Sequence, residues 1–240
     1  MPTEPVAPAG LGPASDLHKL LAWFSPSFPV GAFAWSHGLE WAVESGLVTD
    51  RASLEAWTGT VIAQGTGRLD VNLLRAAWEA WSAQDGPGLV AVAEEADILR
   101  GSAELALESA SQGEAFLKAV GDSWAVPGLA EARRLLAAAQ RPVSYPVAVG
   151  VAAAGAGLPL SAVLEAYLHA FAANLISAGV RLVPLGQTDG QKALVALGPV
   201  IAQAVQASLA RDPEDWGSAA PMVDWATMRH ETQYTRLFRS

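Results

Sequence analysis

The chain has no cysteine among its 240 residues. That excludes a disulfide framework and thiolate metal sites, and it fits a reducing compartment, so the cytoplasm is the expected location. Charge is also scarce: Asp, Glu, Lys and Arg together make up 16% of the residues, and no Lys/Arg-rich run occurs. A net charge of −9 repels nucleic acid and anionic lipid, so neither is an expected partner. Histidine is limited to His18, His37, His169 and His230, and no two are spaced along one helix to share a metal. The sequence carries no G-x-x-x-x-G-K-[ST] phosphate loop, no G-x-S-x-G elbow, no H-E-x-x-H pair and no convincing dinucleotide fingerprint. A chain lacking all of these is expected to be a non-enzyme that works by gripping other proteins.

What is abundant is hydrophobic residue, 51% of the total, with Ala, Leu and Val in excess. At this length a real core is available, burying roughly 70–75% of the unfolded surface. The composition predicts an all-α fold, a single domain of about ten helices spanning 15–240. Residues 1–14, MPTEPVAPAGLGPA, have neither a basic start nor a continuous apolar stretch and read as a flexible tail, not a signal peptide.

Helical periods follow one another with short gaps. Ser15-Asp16 opens an apolar run that Pro26 and Pro29 stop, SHGLEWAVESG restarts a helix ending near Gly46, and Asp50 caps the next. Further helices are predicted over 69–81, 88–107, 114–120 and 128–139. Between residues 82 and 131 nine acidic residues face only Arg100 and Lys118, which reads as a solvated face or a surface for a basic partner. Pro146 and Pro159 each suit a helix start. Residues 147–164 carry no charge, but Gly150, Gly155, Gly157 and Pro159 interrupt them, so no membrane span is expected. The helix through Tyr167 and Leu175 has no charge between Glu165 and Arg181, which predicts a nearly all-buried central helix with His169 as a core histidine. Residues 181–192, RLVPLGQTDGQK, read as a polar loop before another apolar helix kinked at Pro199. VAVGV and VRLV are weak, isolated strand signals.

Three segments stand out as candidate sites. His37 and Glu40 lie one helical turn apart and could form an acid–base or weak metal pair, although Ser36 as a cap already gives that segment a structural reason. The nine tryptophans fit core positions with some left over for an interface. The last residues, HETQYTRLFRS, place Leu237 and Phe238 between Arg236 and Arg239, where chain ends are normally polar. Such an ending asks for a dock, either on its own acidic helices or on a partner that orders it.

Together the blocks PSFPVGAFAWSHGLEWAVESG, SAELALES (102–109), AYLHAFAANLISAGVRLVPLGQTDGQ and HETQYTRLFRS resemble the urease accessory protein UreF family, over residues 17 to 240. The sequence departs from the family pattern at Phe33-Ala34-Trp35-Ser36, where an aromatic Tyr is common, and at Ala106, where an arginine is common. The resemblance implies an all-α homodimer that joins a UreD/UreH scaffold to the UreG GTPase. It further implies that the complex couples GTP hydrolysis to nickel insertion into apo-urease, with nickel and GTP both handled by the GTPase and no cofactor on this chain. Matched by motif, the implied partner-binding residues are Tyr234, Arg236, Leu237, Phe238, Arg239 and Ser240 in a segment ordered by the scaffold. The same matching adds Ser36, His37, Gly38 and Glu40 near the N-terminus, and Gly186, Gln187, Gly190 and Gln191 in the polar loop. A direct nickel carrier using His37, His169 or His230, and a small-molecule enzyme using His37 and Glu40, are the competing readings.

Overall fold

Asp50 shows how this sequence starts its helices. Its carboxylate accepts from the Ser53 amide at 2.8 Å while Ser53 Oγ accepts from the Asp50 amide at 3.0 Å, a reciprocal capping box. Ser102 repeats the device, accepting from the Leu105 amide at 3.3 Å. The computed structural model describes residues 14–212 and 215–239, and all eleven α-helices below lie within them. They are α1 (Ala14–Trp23), α2 (Leu39–Glu44), α3 (Arg51–Ala63), α4 (Thr66–Ser82), α5 (Gly86–Ile98), α6 (Ala103–Ser123), α7 (Leu129–Ala138), α8 (Tyr145–Gly155), α9 (Leu160–Leu182), α10 (Gln187–Ala210) and α11 (Pro221–His230). A single 3-10 turn, Ala32–Ala34, precedes α2. The fold is all-α and a single domain, as expected from sequence, and there is no strand among the described residues. The expected N-terminal tail, residues 1–14, lies outside the described residues except for Ala14, which opens α1.

Several boundaries differ from expectation. The stretch 88–107 is two helices, because the chain leaves the helix at Leu99 and Ser102 caps a new one. The predicted 114–120 piece is continuous with that new helix, α6. The expected loop 181–192 shrinks to Val183–Gly186, since Gln187–Lys192 form the first turns of α10. Both weak strand signals are helical, VAVGV in α8 and VRL at the end of α9.

The central helix is α8, not α9. Every residue from Pro146 to Ala153 is buried, and a Cβ on Gly150 would come within 2.5 Å of the Leu74 carbonyl oxygen on α4. Without a side chain there, α4 and α8 pack backbone to backbone. By contrast, α9 exposes Ser161, Glu165, His169 and Ser177 along one stripe, so His169 is a surface residue. The lack of Asp, Glu, Lys or Arg between Glu165 and Arg181 had suggested burial there instead. By length and apolar composition α9 and α10 could each cross a membrane, but half of the apolar window of α9 is buried in the body.

One polar network runs through the core. Arg100 Nη1 lies 2.8 Å from Asp70 Oδ1, and the Tyr167 hydroxyl donates to Asp70 Oδ2 at 2.7 Å. Burial, reinforced by the Asp70 charge, holds the Tyr167 hydroxyl well above its ordinary range, so it stays a donor. Tyr167→Phe leaves one Asp70 oxygen short of this donor and is expected to lower unfolding stability by about 1.5–3 kcal/mol in urea titration.

Candidate functional site

The site begins with the turn that enters α2. His37 (φ 51°) and Gly38 (φ 71°) are both left-handed, which turns the chain sharply after the 3-10 segment. Gly38 is needed twice over: a Cβ there would approach the Thr227 amide nitrogen to 2.7 Å and the Ala226 carbonyl carbon to 2.9 Å. The turn therefore lies directly against α11, and it aims His37 and Glu40 in different directions.

His37 does not pair with Glu40. Its Nε2 lies 3.0 Å from Glu108 Oε1 on α6, its ring packs edge-on against Phe171 at 4.8 Å, and Glu108 also accepts from Gln112 Nε2 at 2.8 Å. Residues one helical turn apart share a face only inside a helix, and α2 begins at Leu39, after His37. The proposed His37–Glu40 acid–base or metal pair is thus replaced by two separate contacts.

Glu40 instead turns toward the C-terminus. Its Oε1 accepts from the Leu237 amide at 2.6 Å, and its Oε2 accepts from the Phe238 amide at 2.9 Å. The same Oε2 lies 3.1 Å from His230 Nε2, while His230 Nδ1 lies 2.8 Å from Glu104 Oε2. His230 is fully buried between two carboxylates, so its ring is satisfied when it donates from both nitrogens or when one carboxyl group carries the shared proton. Both ring nitrogens are thus engaged by carboxylates. Among the described residues no three His, Asp or Glu side chains are grouped to hold a metal ion.

Glu104 also binds the tail, accepting from Arg236 Nη1 at 2.7 Å. Glu104 and Glu108 are four residues apart on one face of α6, so a single helix face anchors Arg236, His230 and His37. The α6–α11 junction is tied once more where Glu231 accepts from the Ala103 amide at 3.1 Å.

Beyond Glu40 the tail crosses an aromatic layer. Phe238 is buried, 4% exposed, and the Arg181 guanidinium lies 4.3 Å from its ring centre and 3.8 Å from that of Phe33. Arg181 Nη2 donates to the Phe33 carbonyl at 3.0 Å, which fixes the stack. The Arg239 amide donates to the Ala34 carbonyl at 2.8 Å, and its guanidinium lies over the Trp35 ring at 4.8 Å. The tail is therefore docked on its own body in this structure, the first of the two docks its sequence allowed.

The side chains that remain outside are informative. Tyr234 is fully exposed and Leu237 is 65% exposed, although Leu237 is held by its backbone amide. Ser36 is buried, with Oγ accepting from the Glu40 amide at 3.4 Å. Gly186, Gln187 and Gln191 are exposed at the start of α10, and Gly190 is buried there against Val180. The ion pair within that segment is local, Lys192 Nζ to Asp189 Oδ1 at 3.3 Å. Ser240, also a candidate, lies outside the described residues.

Sequence reasoning missed His230, Glu104, Glu108, Phe33 and Arg181 as members of this site, although all five fall inside the blocks already quoted. The i,i+4 spacing of Glu104 and Glu108 beside the buried Leu105 was the available signal. A glutamate pair turned toward the apolar side of a helix needs donors, and the remaining histidine was one.

Comparison with known proteins then decides the family. The UreF family model matches residues 48–198. Over its full length the chain is 48% identical to a urease accessory protein UreF of Rhodopseudomonas palustris, covering 100% of both chains. It is 47% identical to one from Granulibacter bethesdensis, covering 98% of each. A UreF from Bradyrhizobium diazoefficiens is 46% identical over 95% of this chain and 93% of its own. The chain belongs to the urease accessory protein UreF family. In this UreF chain the blocks that carry the resemblance converge in space: PVGAF supplies Phe33, SHGLE supplies His37 and Glu40, SAELALES supplies Glu104 and Glu108, GVRL supplies Arg181, and the C-terminus supplies Phe238. Of the two positions noted as departures, Trp35 keeps aromatic bulk and is 2% exposed beneath Arg239, and Ala106 is half-buried.

Proposed function

We propose that this chain is an adaptor in urease maturation, holding a UreD/UreH-like scaffold through its C-terminal surface and recruiting a UreG-like GTPase. It couples GTP hydrolysis by that partner to nickel insertion into apo-urease. On this reading nickel and GTP belong to the GTPase, the adaptor contributes no cofactor of its own, and it works as a cytoplasmic homodimer. The observation that carries the scaffold contact is the division of labour in the tail. Backbone amides and Phe238 seat it, which leaves Tyr234 and Leu237 as outward anchors on a fixed support. Preorganised anchors of this kind bind with less ordering cost than a free chain end. Gly186, Gln187 and Gln191 give the second surface, where polar donors and acceptors stand at the start of α10.

The test is co-purification with the scaffold and GTPase homologues. Deleting Arg236–Ser240 is expected to abolish the complex. Because that deletion also empties the seat, the paired variant Tyr234→Ala/Leu237→Ala is the sharper probe, since the seat uses neither side chain. It is expected to weaken scaffold binding by about 10- to 100-fold in a titration while leaving the fold intact. Unchanged affinity would move the scaffold contact elsewhere.

A further inference from the structure

Ser144 precedes α8 without capping it. Asp50 and Ser102 each accept from an amide of the helix they start, whereas the Ser144 side chain makes no cap bond to α8 although the residue is 5% exposed. Among the described residues its Oγ has no hydrogen-bond partner. Arg100 is in the same position. Its side chain is 4% exposed, with Nη1 2.8 Å from Asp70 Oδ1 and Nε donating to the Ala96 carbonyl at 3.2 Å. Its Nη2 has no partner among the described residues. Buried polar groups left this way are costly and point to something that completes them.

Arg100 and Ser144 line one cavity of about 10 Å³, which has room for a single atom of water size. Ser109 lines it too. Its Oγ accepts from the Tyr145 amide at 3.2 Å, which leaves the hydroxyl proton unspent. Helix α6 lies so close to the segment entering α8 that a Cβ on Gly113 would overlap the Val143 carbonyl oxygen, and this packing fixes the walls. Asp97 also lines the cavity, but Arg141 Nη1 holds its carboxylate at 2.7 Å. Asp70 is likewise shared by Arg100 and the Tyr167 hydroxyl. The side-chain charges here balance, and the start of α8 adds the positive end of a helix dipole.

We infer that this cavity binds one monatomic anion, a chloride ion, held by Arg100 Nη2 and the hydroxyls of Ser144 and Ser109. All three groups offer protons. A water can accept only two of them and must also place its own protons, whereas a halide accepts all three and has none to place. A polyatomic oxyanion is too large for the volume. The ion ties together the end of α5, the middle of α6 and the start of α8, beside the Asp70–Tyr167 pair of the core.

Two sodium salts at equal ionic strength separate the ion from general screening. The unfolding equilibrium constant of the full-length protein in urea should be about threefold or more smaller in sodium chloride than in sodium gluconate, whose anion cannot enter. Ser144→Ala removes a hydroxyl that bonds to nothing within the chain. That variant should match the wild type in gluconate and lose the chloride gain. Crystals soaked in sodium bromide should show an anomalous peak between Arg100 and Ser144. Equal stability in the two salts with no peak there means that a water fills the cavity, and it overturns the inference. Bromide found only on the outer surface, an adventitious ion only, overturns it as well. So does a chloride gain that Ser144→Ala retains in full, since the anion then acts elsewhere.

Discussion

Replacing Glu40 with alanine is expected to release the C-terminal tail and destabilise the whole domain by about 3–5 kcal/mol, the range for removing one partner from a buried ionic contact. The magnitude follows from what one carboxylate does here. It accepts from the Leu237 and Phe238 amides and faces His230 Nε2, and it is itself 7% exposed, so water cannot readily take its place. Its loss leaves a fully buried imidazole facing only Glu104 and two amides without their acceptor. Glu40→Gln keeps the shape but turns one acceptor into a donor facing donors, so it should fall between wild type and alanine. Equilibrium unfolding in urea checks the stability. Scaffold binding should also fall, by about tenfold or more, because the tail must then be ordered at the moment of binding.

Gly38→Ala should have the second largest effect, a loss of about 2–4 kcal/mol in the same unfolding experiment, from a left-handed residue given a side chain that also clashes. The strain alone would be modest. What raises it is the 2.7 Å approach of the new Cβ to the Thr227 amide nitrogen, which α11 can relieve only by moving away from the turn. Moving α11 displaces His230 at its C-terminal end, so the variant should loosen the tail as well as the helix. Gly31→Ala is the control, since it has the same left-handed strain (φ 75°) with nothing within 4 Å of the added carbon. If the two variants lose equal stability, the close packing of α11 on the turn contributes nothing.

Much of the fold could be read from the chain because local signals agreed with one another. Asp50 capped the helix assigned to it, and the all-α class followed from composition. The errors share a cause. The sequence shows where charge is absent but not whether the absence means burial. Hence α9 was expected to be central and nearly all buried but carries an exposed stripe, and the charge-free side of α10 faces outward. The Gly186–Lys192 segment looked like a loop because Gly, Gln, Thr and Asp also serve as a helix start.

The site was legible only in part for a different reason. His37 and Glu40 were marked as important, yet their partners lie far along the chain, at Glu108 and at His230, Leu237 and Phe238. Spacing in sequence suggested that they pair with each other, and the left-handed turn at His37 and Gly38 prevents it. Which of the two docks the tail would use was equally beyond sequence, since an apolar pair between arginines suits a partner as well as the body.

The central claim is that the tail of the free protein is seated through its backbone on Glu40, with Tyr234 and Leu237 left to face a partner. Amide hydrogen exchange at Leu237 and Phe238 tests it most directly. Strong protection of both amides in the partner-free wild-type protein, lost in Glu40→Gln while the amides of α8 remain protected, is the expected result. Exchange at the rate of an unstructured peptide in the wild-type protein would contradict it, and the tail would then be ordered only by the partner it binds.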